Sequence, residues 1–186
     1  EYADNETVSK AVLEMQRQNV NSLGYGIKSF TFAMMQVALD LSREKLDSKT
    51  MREVINIGRD MMEHPVDFID GVPNILESLS ESYELVLITK GDLIDQERKV
   101  NLSNVRRWFK NIEIVSEKHS STYKNIFSRF GKMDESVMVG NSIKSDAVPA
   151  VKAGAWGIHV PYPITWELEM AKPMTDHERY FEANNL

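Results

Sequence analysis

Three polar clusters stand directly after short apolar runs and carry groups that could do chemistry. They are Thr89 to Asp92, Ser116 to Lys118, and Gly140 to Asp146. Hydroxyl and backbone N–H groups at the start of a helix can bind an anion, and a lysine ammonium neutralises a phosphate or a carboxylate. Carboxylate and amide oxygens are ligands that Mg²⁺ prefers. Such groups could bind a phosphate and a metal ion.

Each cluster also has an ordinary structural explanation. Asp92 is a good N-cap for a following helix, and Lys118 could be a solvated surface lysine, as most lysines are. Lys124 competes with Lys118, although it falls inside a predicted helix rather than at a strand end. Turn chemistry explains Asn141 well and Asp146 less well. The significance of the clusters therefore lies in their combination.

The elements that position these clusters follow from the hydrophobic pattern. From about Val66, short β-type runs alternate with amphipathic helices, which predicts an α/β fold with a parallel sheet. Strands are predicted at 84–89, 112–116, 136–140 and 157–161, and helices are predicted from Pro73, at 92–102, at 121–130 and up to Gly154. Ligands of open parallel sheets bind beyond the carboxyl ends of the strands. All three clusters fall at such ends.

The first third of the chain has a helical pattern. Helices are predicted at 6–20, 27–41 and 48–62. Ser48 is the expected N-cap of the third helix, and Pro65 prevents its continuation. The 27–41 segment is apolar around much of its circumference, so it could be buried among helices or lie at a dimer contact. We therefore expect a helical domain at 1–64 and an α/β domain at 65–186.

Composition excludes several classes of function. The 186-residue chain has a formal net charge of -6, which argues against a general nucleic-acid binder because such proteins cluster Lys and Arg. The absence of cysteine excludes thiol nucleophiles, disulfides and Cys-ligated zinc, and the four histidines lack a paired ligand spacing. No apolar run approaches the ~20 residues of a membrane-spanning helix. We expect a cytoplasmic protein without a membrane or nucleic-acid partner.

In this order, the three clusters resemble the motifs of haloacid dehalogenase-like (HAD) hydrolases. The segment ITKGD resembles the second motif of that superfamily, SEKHSSTY the third, and VMVGNSIKSD the fourth. The resemblance covers about Val66 to Pro161, and residues 1–64 are similar to the helical cap that the family inserts between its first and second motifs. It implies a three-layer Rossmann-like core with a parallel sheet, plus a small helical cap.

The resemblance also implies roles for individual residues. Thr89 is similar to the phosphate-binding hydroxyl of the second motif, and Lys118 to the lysine that holds nucleophile and phosphate together. Asp146 is similar to the acidic Mg²⁺ ligand of the fourth motif, whereas Asn141 stands at a position that is commonly Asp. The expected site therefore comprises Lys118 and Thr89 as catalytic residues, Thr89, Lys90, Gly91 and Asn141 for phosphate, and Asp146 with Asn141 for the metal.

The nucleophile of the family is missing from this sequence. HAD enzymes use an aspartate in a DxD motif at the end of a central first strand, between the strands that here carry Thr89 and Gly140. The 186 residues contain no DxD, and the nearest imitation, FIDGVP at 68–73, does not match its context. Because the chain starts with Glu1 rather than Met, we expect the strand and its DxD upstream. The alternative is a complete, non-catalytic relative whose two strands pair directly.

Three functions are compatible with this resemblance. The expected one is a Mg²⁺-dependent phosphatase that hydrolyses a small phosphorylated metabolite through an aspartyl-phosphate, with its nucleophile upstream of residue 1, so that these residues alone would be inactive. Asn141 keeps a metal-independent 2-haloacid dehalogenase as an alternative, and a catalytically silent HAD-like binding module is the third. A homodimer is possible. The cap would hinge near Glu63 to Asp67, and Gly24 to Lys28 could contact substrate or be a simple interhelical turn.

Overall fold

The computed structural model describes residues 3–183. Its helices are α1 (Asn5–Leu23), α2 (Ile27–Leu41), α3 (Ser48–Glu63), α4 (Val72–Ser80), α5 (Leu93–Ser103), α6 (Ser120–Phe130) and α7 (Val148–Ala153). Its strands are β1 (Val86–Lys90), β2 (Asn111–Val115), β3 (Val137–Gly140), β4 (Trp156–His159) and β5 (Tyr180–Glu182). The α/β architecture with parallel strands is confirmed, and the ends of the predicted elements lie within a few residues of those observed.

The chain divides into two compact units. The first comprises the described residues through Asp67 together with Lys90–Asn104, and the second comprises Phe68–Thr89 and the described residues from Val105 onward. Helix α5 is thus grouped with the helical N-terminal region rather than with the sheets. The division into a cap at 1–64 and a core at 65–186 stays a prediction.

Helix α2 packs between α1 and α3 in the first unit. A Cβ added at Gly58 of α3 would collide with the Thr31 side chain, so glycine permits the close approach of α3 to α2. The carboxylate that caps α3 belongs to Asp47, which accepts hydrogen bonds from Lys49 N and Thr50 N at 2.9 Å each. The prediction of Ser48 as N-cap is therefore wrong by one residue.

The second unit contains two small sheets. Strand β1 pairs with β2, and β3, β4 and β5 form a parallel three-stranded sheet in that order. Gly140, His159 and Glu182 are in register at the carboxyl ends of the three parallel strands. The core of the unit is formed by Ile88, Tyr123, Ile126, Phe127, Ala150, Ala153 and Ala155. The carboxyl ends of β2 and β3 lead into the two loops that carry Lys118 and Asp146.

Strand β5 differs from the sequence-based expectation. The hydrophobic pattern predicts no strand after residue 161. Instead, residues 180–182 add a parallel strand to β4, and Tyr180 is buried against Ala147 and Val151. Burial of this one aromatic side chain stabilises a strand of three residues, a length at which hydrophobic alternation has no predictive value.

Strands β1 and β3 belong to different sheets. Among residues 3–183, no strand joins the two sheets, and the direct pairing of β1 with β3 that we had considered is not formed. Val137 and Val139, on one face of β3, are 48% and 45% exposed. An apolar strand face with exposed side chains is unusual in a folded core. Within the described residues β1 pairs only with β2 and β3 only with β4, so each strand has an edge on which a further strand could pair.

Candidate active site

Lys118 and Asp146 form a buried ion pair in the second unit. Lys118 follows β2, and Asp146 lies in a π-helical turn, Ile143–Ala147, between β3 and α7. Lys118 Nζ donates to Asp146 Oδ1 at 2.7 Å, with side chains that are only 11% and 6% exposed. A charge-assisted hydrogen bond of this length in a water-poor environment holds both groups in one geometry. Two residues from separate motifs are thereby brought together.

The carboxylate of Asp146 is also held from its other side. Ser142 N donates to Asp146 Oδ2 at 3.0 Å, and the Ser142 hydroxyl accepts from Ser145 N at 2.9 Å. A Cβ at Gly140 would collide with Asp146 Oδ2, so the last residue of β3 has to be glycine for the carboxylate to lie there. The small residues at the end of this strand therefore make room for Asp146 and orient it.

Tyr123 forms a hydrogen bond to the π-helical turn that carries Asp146. Its side chain is fully buried, and its hydroxyl donates to Ser145 O at 2.8 Å. Burial raises the pKa of the Tyr123 phenol far above its ordinary value, and the nearby charges of Asp146 and Glu169 raise this pKa further. The phenol therefore stays neutral and serves as a hydrogen-bond donor.

The loop that carries Lys118 is fixed by local hydrogen bonds. Thr122 Oγ1 donates to Glu117 O at 3.0 Å, which ties the start of α6 to the loop before it. Lys124, the competing candidate, is exposed on α6. Of the two lysines, Lys118 is therefore the one held against a buried carboxylate.

The first predicted cluster, Thr89 to Asp92, is divided between the two units. Thr89 is half-buried near the carboxyl end of β1 in the second unit, whereas Lys90 and Gly91 belong to the first. In the first unit, Lys90 Nζ lies 3.8 Å from the centre of the Tyr25 ring, a cation–π contact. Tyr25 is within the segment predicted to contact substrate. The phosphate-binding roles of Thr89, Lys90 and Gly91 stay predictions.

Asp92 has the capping role that turn chemistry predicts. Its Oδ1 accepts from Asp95 N at 3.0 Å at the start of α5, and it pairs with Lys28 Nζ at 2.9 Å. The hydrogen bond from Lys28 and that from the Asp95 N–H lower the pKa of the Asp92 carboxyl. Asp92 therefore links the start of α5 to the start of α2 within the first unit.

The predicted metal ligands fit Mg²⁺ in part. Asp146 is a buried carboxylate with lone pairs beyond those used by Lys118 and Ser142, and Asn141 is exposed directly after the end of β3. Within the described part of the chain, no group of three or more His, Cys, Asp or Glu residues could hold a metal ion. The donor set thus fits one ligand position of a cation that keeps water or takes phosphate oxygens as its remaining ligands.

Sequence reasoning missed Glu169. This residue lies in a short helical turn, Glu167–Glu169, and its Oε2 accepts a 2.7 Å hydrogen bond from the Ser142 hydroxyl. Lys144 Nζ donates to Leu168 O at 2.7 Å, so a second contact fastens this turn to the loop of Asp146. Nothing in the local sequence around Glu169 indicates such a contact, because its partner is 27 residues away.

Comparison with known proteins identifies the family of the chain. The chain is 34% identical to a haloacid dehalogenase-like family hydrolase from Xanthomonas campestris, with a TM-score of 0.83 over 97% of this chain and 76% of that one. No protein-family model and no curated protein matches. No helix in the described residues is long and apolar enough to cross a membrane.

More distant structures share the fold. A HAD hydrolase from Bacillus subtilis, whose structure is bound to magnesium, is 15% identical, with a TM-score of 0.65 over 99% of this chain and 80% of that one. A 2-haloacid dehalogenase from Pseudomonas syringae is 17% identical, with a TM-score of 0.57 over 95% and 76%. These two structures share the fold, whereas the 34% identity to the Xanthomonas hydrolase over 97% of this chain shows that the chain belongs to the haloacid dehalogenase-like family of hydrolases.

Proposed function

We propose that the protein is a Mg²⁺-dependent phosphohydrolase that acts on a small phosphorylated metabolite through an aspartyl-phosphate intermediate. The observation that carries this proposal is the buried pair of Lys118 and Asp146 at the carboxyl ends of β2 and β3. A fixed ammonium in a water-poor site stabilises the negative charge that develops on a phosphoryl group and on an attacking carboxylate. Asp146 accepts a 2.7 Å hydrogen bond from this ammonium and so orients it.

The roles of the site residues follow from their chemistry. Lys118 would neutralise the nucleophile and the phosphate, and Thr89 would donate its hydroxyl to a phosphate oxygen. Asp146 and Asn141 would hold Mg²⁺, which, when bound, supplies charge stabilisation to the phosphoryl oxygens. Since each group is placed by the backbone at a strand end, little reorganisation would be needed when the substrate binds.

The nucleophile requires an additional strand. Strands β1 and β3 lie in separate sheets, and one apolar face of β3 is exposed. We propose that a strand outside residues 1–186 pairs with both and ends in the nucleophilic aspartate. Its carboxylate would attack phosphorus as the P–O bond to the alcohol breaks, and water would then hydrolyse the acyl phosphate. Without that strand, these residues would be inactive.

A metal-independent 2-haloacid dehalogenase is the second candidate. Two features of the residues near Asp146 favour a reaction without metal. Asn141 supplies an amide where a further carboxylate would strengthen metal binding, and the described residues contain no cluster of three ligating side chains. In this reaction an aspartate displaces halide from carbon, and Lys118 would neutralise the substrate carboxylate or the nucleophile.

Parallel assays of the full-length protein, including any residues that its gene encodes before Glu1, separate the two candidates. We expect turnover of p-nitrophenyl phosphate that is abolished by EDTA and restored by MgCl₂. Halide release from 2-chloropropionate that persists in EDTA would instead establish the dehalogenase. If neither substrate is converted, both enzymatic proposals fail and the binding-module alternative remains.

A further inference from the structure

The C-terminal turn Glu167–Glu169 closes on the loop that carries Asp146. Ser142 is buried, and its hydroxyl has a single hydrogen, which it donates to Glu169 Oε2 at 2.7 Å rather than to the more distant Glu169 O at 3.4 Å. The oxygen of the same hydroxyl accepts from Ser145 N at 2.9 Å. The Ser142 hydroxyl therefore makes one hydrogen bond to the C-terminal turn and one within its own loop.

The position of Ser142 determines where the Asp146 carboxylate lies. The Ser142 backbone N–H donates to Asp146 Oδ2 at 3.0 Å, while Oδ1 accepts from Lys118 Nζ at 2.7 Å. The two oxygens of one planar carboxylate cannot move independently. A displacement of the Ser142 backbone would thus shift Oδ1 relative to the Lys118 ammonium.

A second contact holds the turn in place independently of Glu169. Lys144, which lies in the same π-helical segment as Asp146, donates to Leu168 O at 2.7 Å. The C-terminal turn is accordingly attached at both a backbone and a side-chain position. This arrangement holds Glu169 in the position where it accepts the hydrogen bond from Ser142.

We propose that Glu169 is a positioning residue of the active site, which sets the geometry of the Lys118–Asp146 pair through its hydrogen bond with Ser142. This inference rests on the proposed function for its effect on rate. Its structural consequence, the fixed environment of the Lys118 ammonium, does not depend on which reaction the enzyme catalyses.

Two substitutions distinguish the effect of the hydrogen bond at Glu169 from the effect of the size of its side chain. Glu169→Ala removes the acceptor for Ser142, whereas Glu169→Gln keeps an acceptor oxygen at the same distance from the backbone. Glu167→Ala serves as the matched control because Glu167 is an exposed acid of the same turn. All variants are prepared in the full-length protein.

The first readout is the ¹H–¹⁵N signal of the Lys118 ammonium, assigned by its loss in Lys118→Arg. We expect this signal to shift and broaden in Glu169→Ala, and to stay at its original position in Glu169→Gln and Glu167→Ala. An unchanged signal in Glu169→Ala would overturn the proposal. If Glu169→Ala does not fold, Ser142→Ala, which deletes the same hydrogen bond together with the one from Ser145 N, must also shift the signal.

The second readout is the kinetics with p-nitrophenyl phosphate. Loss of one hydrogen bond to a charged group is expected to lower kcat about tenfold in Glu169→Ala with little change in KM, and Glu169→Gln should restore kcat. Equal losses in Ala and Gln would contradict positioning by a hydrogen bond. If the unsubstituted enzyme does not hydrolyse this substrate, the proposed function fails, and the ammonium signal still decides the role of Glu169.

Discussion

Replacing Lys118 with methionine is expected to lower kcat/KM for p-nitrophenyl phosphate by at least about 100-fold, the size of effect seen when one fixed electrostatic group is removed. The methionine keeps most of the apolar stem but removes the ammonium. Asp146 would then be a buried carboxylate without its counter-charge, and the free energy of unfolding should fall by about 3 kcal/mol. Steady-state kinetics and urea unfolding measure the two effects.

The matched control for this prediction is Lys124→Met. Lys124 lies on α6, close to Lys118 in sequence, and is exposed. Its replacement should leave kcat/KM and the free energy of unfolding nearly unchanged, because exposed lysines contribute little to either. Full activity in Lys118→Met, or an equal loss in Lys124→Met, would show that Lys118 has been assigned the wrong role.

Replacing Asp146 with asparagine is expected to have a comparable effect on rate. Asparagine has the same shape and fits beside Gly140, but it removes the negative charge that pairs with Lys118 and places an NH₂ group opposite one of the two donors, Lys118 Nζ or Ser142 N. We expect kcat/KM to fall by about 100-fold or more and the MgCl₂ concentration for half-maximal rate to rise, since a neutral amide is a weaker ligand for Mg²⁺. Asp134→Asn, at an exposed aspartate of the same unit, is the control.

A double-mutant cycle tests whether the pair acts as a unit. Each single substitution leaves one buried group without its opposite charge, whereas the combination of Asp146→Asn with Lys118→Met removes both charges. The loss of unfolding free energy in the double variant should therefore be about 1–3 kcal/mol smaller than the sum of the losses in the two single variants. Simple additivity of the unfolding free energies would mean that the 2.7 Å contact contributes nothing to stability.

The fold was predictable from sequence because its signals are local. Alternation of short apolar runs with amphipathic helices is visible within windows of ten to twenty residues, and it located β1 to β4 and α1 to α7. The three-residue strand β5 carries no such signal and forms because Tyr180 is buried against α7. Asp47 and Ser48 are both good N-caps, and only the extended backbone at Asp47 decides between them.

The sequence pointed to individual residues of the candidate site but not to the hydrogen bonds that connect them. Lys118 and Asp146 were identified separately, from the residue types that follow two strands, and their roles stay predictions. Their pairing spans 28 residues of sequence, and the Ser142–Glu169 contact spans 27. Such contacts are determined by the packing of whole elements, here by the addition of the C-terminal segment to the loop after β3. Glu169 was missed for this reason.

The measurement that tests the central claim most directly is the identification of the residue that becomes phosphorylated during turnover. The full-length protein is mixed with ³²P-labelled p-nitrophenyl phosphate and MgCl₂, quenched in acid, digested and analysed by mass spectrometry. We predict a hydroxylamine-labile acyl phosphate on an aspartate outside residues 1–186, at the end of the strand that pairs with β1 and β3. A label on any residue within 1–186, or turnover without a labelled enzyme, would contradict the account.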